Sequence, residues 1–289
     1  MQNSKTSTYG AFTPNLEPIL SANQARTALE RNWEDYFWTH QDLLVFSYEN
    51  QTATTPDEEY TSLHARALSV LRYMRQPGAP AWAHHFFAYD HLTLVHRDAL
   101  LEIGGWDTHI PFYATDCDLY NRLTWAGYWQ GEAEVGLILD VSSVLDDIGA
   151  LFRLPGAHAS FEGDPGDESE TRYAARERRK SVERAGETWE HLVAVGRRME
   201  ADKLTEDGVY RNTWQGKQTG GRGEPFYRDP EGFDTGVHML VDTGRRLYAE
   251  KWGHRGCEIN TAVRHDDAWR LERDWDPEKD GDGLEGGAW

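Results

Sequence analysis

Two acidic residues precede a predicted helix in the stretch Thr115-Asp116-Cys117-Asp118. Leu119, Leu123 and Ala126 recur behind them at helical spacing, and Gly127 ends the pattern. The loop before them is rich in aromatic residues. Carboxylates at the start of a helix, beside an aromatic-lined cleft, suit a general base or a metal ligand. This stretch is therefore the strongest candidate for chemistry in the chain.

The same stretch also has a purely structural interpretation. Thr115 and Asp118 form a variant of the capping box, and acidic residues stabilise the positive end of a helix. Such a cap contributes about 1 kcal/mol and requires no chemistry. The residues alone leave both interpretations open.

The residues around these acids resemble the C-terminal half of a family-2-type GT-A glycosyltransferase, in the fungal branch of that family. The family reads Gly-Gly-aromatic-Asp, a variable loop, Glu-Asp-x-Asp-Leu, an Arg-Leu pair and a Gly-aromatic pair. The matching positions here are Gly104 to Asp107, Asp116, Asp118 with Leu119, Arg122 with Leu123, and Gly127 with Tyr128. Thr115 departs from the pattern, because the family usually has Glu there. The resemblance extends over roughly residues 33 to 256.

The resemblance implies a role for each matched residue. Asp116 corresponds to the residue that takes the proton from the acceptor hydroxyl. Asp118 and Trp106 would orient the acceptor, and the position of Arg122 makes it a candidate to contact a nucleotide diphosphate. Asp107 completes the residues implied in substrate binding. The implied partners are a nucleotide sugar and a glycan or other hydroxyl acceptor.

A second matching stretch lies upstream, where His40-Gln41-Asp42 precedes a predicted buried strand from Leu43 to Phe46. It resembles the fungal relatives and stands in the place of the Asp-x-Asp motif that binds a metal ion. The resemblance therefore implies Mn²⁺ or Mg²⁺, with Asp42 and His40 as ligands and His158 as a later one. These cations prefer oxygen ligands, although Mn²⁺ accepts imidazole. The alternatives are a solvated strand edge at His40 and Asp42 and an exposed loop histidine at His158.

The resemblance implies an α/β fold: a partial, Rossmann-like GT-A domain with a C-terminal helical extension. A GT-A domain normally opens with two or three parallel strands that hold the nucleotide base. Here Asp42 follows only one predicted helix, from Ala22 to Glu30, so the nucleotide-binding front is expected to be missing. A truncated gene model and a shortened, inactive remnant both account for this pattern.

The predicted organisation has four parts: an α/β domain at 1–154, a linker at 155–171, a helical extension at 172–256 and an acidic tail at 257–289. The linker is rich in Gly, Pro, Asp and Glu, and the composition of the tail is typical of disorder. Within the extension, one apolar stripe predicts a single long helix over 172–203. A further helix is predicted to begin at Pro230 and to end at Gly253.

The composition narrows the classes of function. The net charge of −19 and the pI near 5.0 argue against a nucleic-acid partner, which would require a basic surface. The chain contains 12 Trp, 13 Tyr and 10 Phe, and such rings suit both sugar-binding clefts and an ordinary core. Two cysteines do not determine whether a disulfide forms.

The sequence shows no membrane segment, because no apolar run approaches the roughly 18 residues that a membrane helix needs. The first 30 residues lack the pattern of a charged segment followed by an apolar one. Relatives in the resembled family usually work in the Golgi lumen behind an N-terminal anchor. The sequence leaves the compartment of this chain open.

Three functions remain open at this stage. The first is a metal-dependent glycosyltransferase that moves a sugar from a nucleotide sugar to a hydroxyl acceptor. The second is a catalytically inactive remnant that binds carbohydrate or protein through an aromatic cleft. The third is a helical scaffold that acts through residues 172–253.

Overall fold

A computed structural model of the protein shows a mixed α/β fold with helices in its C-terminal part, which confirms the predicted α/β class. The partial GT-A architecture stays a prediction. The strands within the described part of the chain are β1 (Asp35–Thr39), β2 (Leu43–Phe46), β3 (Trp82–Ala88), β4 (Leu92–His96), β5 (Trp129–Glu132) and β6 (Leu137–Asp140). The residues that the structure describes are 26–40, 42–49, 61–141, 144–161, 164, 166, 170–203, 230–259, 262–276 and 279.

The strands form two sheets. A four-stranded sheet has the order β1-β4-β3-β5, in which β4 runs antiparallel to β1 and β3, while β5 runs parallel to β3. A two-stranded antiparallel sheet pairs β2 with β6. Since β1, β3 and β5 all run in one direction, their carboxyl ends lie at the same edge of the larger sheet. In sheets with parallel strands, that edge commonly forms the ligand-binding crevice.

Helices cover both sheets and extend to the C-terminal part of the chain. They are α1 (Leu63–Met74), α2 (Arg97–Glu102), α3 (Thr115–Trp125), α4 (Arg172–Ala185), α5 (Trp189–Lys203) and α6 (Pro230–Trp252), with short 3₁₀ helices at Ile148–Phe152 and His265–Asp267. Residues 26–30 are also helical, and the first part of the predicted helix from Ala22 lies outside the described residues. None of the helices in the described part of the chain has the length and apolar character needed to cross a bilayer.

The prediction of one long helix over 172–203 is wrong, because α4 ends at Ala185 and α5 begins at Trp189. Gly186, at the break, has a φ of 79°, and a Cβ atom there would lie 2.0 Å from the backbone oxygen of Arg153. The next residue, Glu187, is buried and accepts a hydrogen bond from the backbone N–H of Ala159. The break therefore results from contacts with a distant segment, which helical periodicity does not reveal.

Helix α5 packs on the two-stranded sheet and forms one hydrophobic core with it. Gly196 permits this close approach because it has no Cβ atom. A Cβ atom at this position would lie only 2.7 Å from a methyl group of Leu139. The buried residues of this core are Leu44, Phe46, Leu139, Val141, Ala150, Ala157, Ala159, Phe161, Leu192, Val195 and Met199. Three of them belong to the segment predicted as a linker, so this segment contributes to the same core as the predicted domain. The boundaries of the domains stay a prediction.

Helix α6 begins at Pro230 and ends before Gly253, as predicted, and it packs against α3. Tyr248 and Trp252 of α6 share a core with Ile110 and Ala114. A disulfide joins Cys117 of α3 to Cys257, with 5.1 Å between their Cα atoms. In the predicted tail, Val263 and Ala268 pack against this core, whereas residues 280–289 lie outside the described part.

Candidate functional site

The turn of the β3–β4 hairpin stands at the edge where the parallel-running strands end. We call its three residues, Tyr89-Asp90-His91, the hairpin tip. Asp90 adopts a left-handed backbone with a φ of 55°, which is uncommon for a residue other than glycine. Beyond the last pair of β1 and β4, the backbone N–H of His40 donates to the backbone oxygen of His91 at 2.9 Å. The segment that carries His40 and Asp42 therefore lies alongside the hairpin tip.

On one side of the tip, a lysine ammonium stands between two carboxylates. Lys203, the last residue of α5, donates to Oδ2 of Asp42 at 2.6 Å and to Oδ1 of Asp140 at 2.5 Å. Only 5% of the Lys203 side chain is exposed. We call these three residues the lysine cluster. A cation at the C-terminal end of α5 also interacts favourably with the helix dipole.

Two histidines border the lysine cluster. Nε2 of His91 lies 3.9 Å from Oδ2 of Asp140, and Nδ1 of His40 lies 3.9 Å from Oδ1 of Asp42. The two imidazole rings are 5.3 Å apart, edge to face. The histidines and both carboxylates thus lie within one small region beside the hairpin tip.

The residues present do not fit the divalent ion that the family resemblance implies. Lys203 already occupies the space between the Asp42 and Asp140 carboxylates. No group of His, Cys, Asp or Glu in the described parts of the chain is arranged to hold a metal ion. The structure does not bring His158 to this place, since it lies 4.0 Å from Glu187, just before the start of α5. Lys203 is at the other end of that helix, whose length is about 21 Å.

Asp116 and Tyr120 belong to successive turns of α3. The hydroxyl of Tyr120 donates to Oδ1 of Asp90 at the tip. Burial raises the pKa of Tyr120 well above 10, and the negative charges of Asp90 and Asp116 raise it further. Tyr120 therefore stays protonated and remains a donor. Tyr120 links the helix that carries Asp116 to the tip at Asp90, and His40 links the segment that carries Asp42 to the tip at His91. The joint action of the two acids stays a prediction.

Aromatic rings line this side of the tip. The Phe86 ring lies 5.2 Å from the rings of both Tyr89 and Tyr120, and His84 lies 4.9 Å from Tyr120. Burial lowers the pKa of His84 to about 4, although a hydrogen bond with Gln130 partly opposes this shift. Tyr89 is 51% exposed, so part of its flat ring is open to solvent at the tip. An exposed aromatic face with polar neighbours is suited to a sugar ring.

Asp118 faces away from this region and has no exposed surface. Its carboxylate accepts hydrogen bonds from Nε of Arg122 at 2.8 Å, from Nζ of Lys251 at 2.5 Å and from Nε1 of Trp252 at 2.9 Å. The predicted capping box is wrong, because the residue before α3 is Ala114 and no side chain caps the helix. The Asp118 carboxylate instead joins α3 to α6.

The other predicted substrate-binding residues also have internal partners. Arg122 donates to the backbone oxygens of Ile103 and Gly105, and Trp106 is buried, with its ring 5.4 Å from that of Trp38. Asp107 accepts from Nζ of Lys251 at 2.7 Å. We call Asp107, Asp118, Arg122 and Lys251 the buried ion network. Their roles in substrate binding stay predictions, and in this conformation Asp118 offers no surface to a substrate.

The residues that sequence reasoning missed are Asp90, Tyr120, Asp140, Lys203 and Lys251. Two of them had a local signal: Asp90 separates two strand-like runs, and Asp140 follows a short apolar run. The two lysines had none, because their partners are 161 and 133 residues away.

Comparison with protein-family models, with curated proteins and with solved structures gave no match.

Proposed function

We propose that the protein is a glycosyltransferase-like enzyme that moves a sugar from a nucleotide sugar to a hydroxyl acceptor. The observation that carries this proposal is the convergence at the hairpin tip. The His40–Asp42 segment bonds to this tip at His91, and Tyr120 of α3 bonds to it at Asp90. They meet at the edge where the carboxyl ends of β1, β3 and β5 lie, which is the usual place of a ligand in such sheets.

Asp116 has the properties that a general base needs in this reaction. It is partly exposed, it stands in the first turn of α3, and it adjoins the exposed ring of Tyr89 through Tyr120. An acceptor hydroxyl would give its proton to the Asp116 carboxylate as its oxygen bonds to the anomeric carbon. The bond from that carbon to the diphosphate breaks in the same displacement. The protonated Tyr120 hydroxyl holds Asp90 and supports the cleft wall.

Asp116→Asn tests this proposal, because it removes the base and keeps the size of the side chain. We expect transfer from a panel of UDP- and GDP-sugars to simple glycosides to fall by at least about 100-fold, with folding unchanged. Asp98→Asn is a matched control: Asp98 is an acid in the first turn of α2, with 58% of its side chain exposed. Full activity of Asp116→Asn, at a level equal to that control, rules out the assignment of the base.

A second candidate is a catalytically inactive module that binds carbohydrate through the same cleft. One observation favours it specifically: two carboxylates and one ammonium leave the lysine cluster with a net negative charge, which repels a diphosphate. Isothermal titration separates the candidates. Binding of a nucleotide sugar, with competition by the free nucleoside diphosphate, supports the enzyme. Binding of free glycan without any effect of nucleotide supports the module.

A further inference from the structure

The ammonium group of Lys203 has the surroundings of a bound cation. Its nitrogen is 2.6 Å from Asp42 and 2.5 Å from Asp140, and the two carboxylates belong to different segments of the chain. Both oxygens bond to one nitrogen, so they lie at most about 5 Å apart. A divalent ion with oxygen ligands at about 2.1 Å would need only a small inward shift of the two carboxylates.

We propose that Lys203 is a built-in cation that blocks a latent divalent-metal site formed by Asp42 and Asp140. The wild-type cleft therefore works without a metal ion, and removal of the ammonium converts the cleft into a metal site. His91 and His40 stand 3.9 Å from the carboxylate oxygens that do not bond to Lys203, so the ligands that this proposal requires are the two acids. This inference concerns the cleft itself, so it holds whether the cleft transfers a sugar or only binds one.

The position of the ammonium is set by packing. Gly196, Met199 and Lys203 lie on one face of α5, at intervals of three and four residues. The first two hold this face against the β2–β6 sheet, where Gly196 permits close contact with Leu139. Asp140 is the last residue of β6, and the backbone oxygen of Asp42 accepts from Val141 at 2.8 Å beside it. The packing of α5 therefore places the Lys203 ammonium between the carboxylates of Asp42 and Asp140.

Electrostatics makes the two cations mutually exclusive. A divalent ion between Asp42 and Asp140 would stand against the buried ammonium, and like charges at that distance repel strongly in a site of low dielectric constant. Without Lys203, the two carboxylates repel each other instead, and a cation relieves that repulsion. Asp42 and Asp140 therefore exclude a divalent ion when Lys203 is present and can bind one when Lys203 is removed.

Titration with Mn²⁺, followed by loss of the free-ion signal in electron paramagnetic resonance, tests the proposal without any substrate. We compare the wild-type protein with Lys203→Met, which removes the charge and keeps most of the volume. We expect the variant to bind one Mn²⁺ at least about tenfold more tightly than the wild type does. Adding Asp140→Asn to Lys203→Met is expected to return the affinity to the wild-type level.

Arg198→Met is the matched control, because Arg198 belongs to the same helix and also pairs with a carboxylate, that of Asp164. It is expected to gain no Mn²⁺ site. A folded Lys203→Met protein whose Mn²⁺ affinity equals that of the wild type overturns the proposal and leaves an ordinary structural ion pair. Mn²⁺ titration of the wild-type protein tests the proposal independently of whether the lysine variants fold. A tight wild-type Mn²⁺ site that Asp42→Asn removes would overturn the inference, and lack of such a site supports it.

Discussion

Replacing Asp118 by Asn removes the charge at the centre of the buried ion network. The Asp118 carboxylate is fully buried and accepts from Arg122, Lys251 and Trp252. The amide of Asn accepts fewer of these bonds, and it leaves two buried cations without their shared counter-ion. Breaking a buried ion pair from one side costs about 3–5 kcal/mol, because the remaining charge stays desolvated. We therefore expect this single substitution to lower the free energy of unfolding by about that amount.

Such a loss is large against the total stability of about 5–15 kcal/mol that is typical of folded domains. For a chain of this size it corresponds to a fall in the melting temperature of roughly 10 °C. Urea unfolding, followed by tryptophan fluorescence, measures the free energy, and a thermal melt by circular dichroism gives the temperature. Glu183→Gln is the matched control, since the exposed i,i+4 ion pair of Glu183 with Arg179 is expected to contribute less than about 1 kcal/mol.

A double-mutant cycle with Lys251→Met shows whether the network acts as a unit. If Asp118 and Lys251 stabilise the fold through each other, the double variant should lose at least about 1 kcal/mol less than the sum of the single variants. A loss below about 1 kcal/mol for Asp118→Asn, together with additive effects, would refute this account of how α3 is joined to α6.

The remaining predictions concern acid pH and the disulfide. Burial opposes the ionisation of Asp107, but hydrogen bonds from Lys251 and His109 outweigh it and lower the pKa to about 2. Because this folded-state pKa is below the unfolded value, the stabilisation is present above about pH 4 and is lost as the pH falls towards 2. The urea midpoint of Asp107→Asn should therefore fall less over that window than that of the wild type, and an equal fall would contradict the assignment. The disulfide between Cys117 and Cys257 predicts that thiol titration of the denatured, unreduced protein finds no free thiol, and two titratable thiols would contradict it. Reduction of this disulfide is expected to lower the free energy of unfolding by about 3–5 kcal/mol.

Local patterns in the sequence were sufficient for several elements. The predicted strand from Leu43 to Phe46 is β2, and the helix predicted behind Asp116 is α3. Gly127 and Gly253, which were predicted to end helices, follow α3 and α6, and both adopt the positive φ that favours glycine. These signals depend on side-chain periodicity and backbone freedom within a few residues, so they need no knowledge of the rest of the molecule.

The convergence of the candidate site, its burial and its charge partners were decided by the tertiary structure. The sequence predicted chemistry for Asp42 and Asp118, but not that Lys203 and Lys251 would stand against them. It also predicted one continuous helix, where contact of Gly186 with Arg153 requires a break. The physical reason is that an ion pair or a steric contact depends on distance in space, and these partners are far apart in the chain. The types of residue therefore indicate which chemistry is possible, and the packing of α5 and α6 determines which carboxylates remain available for it.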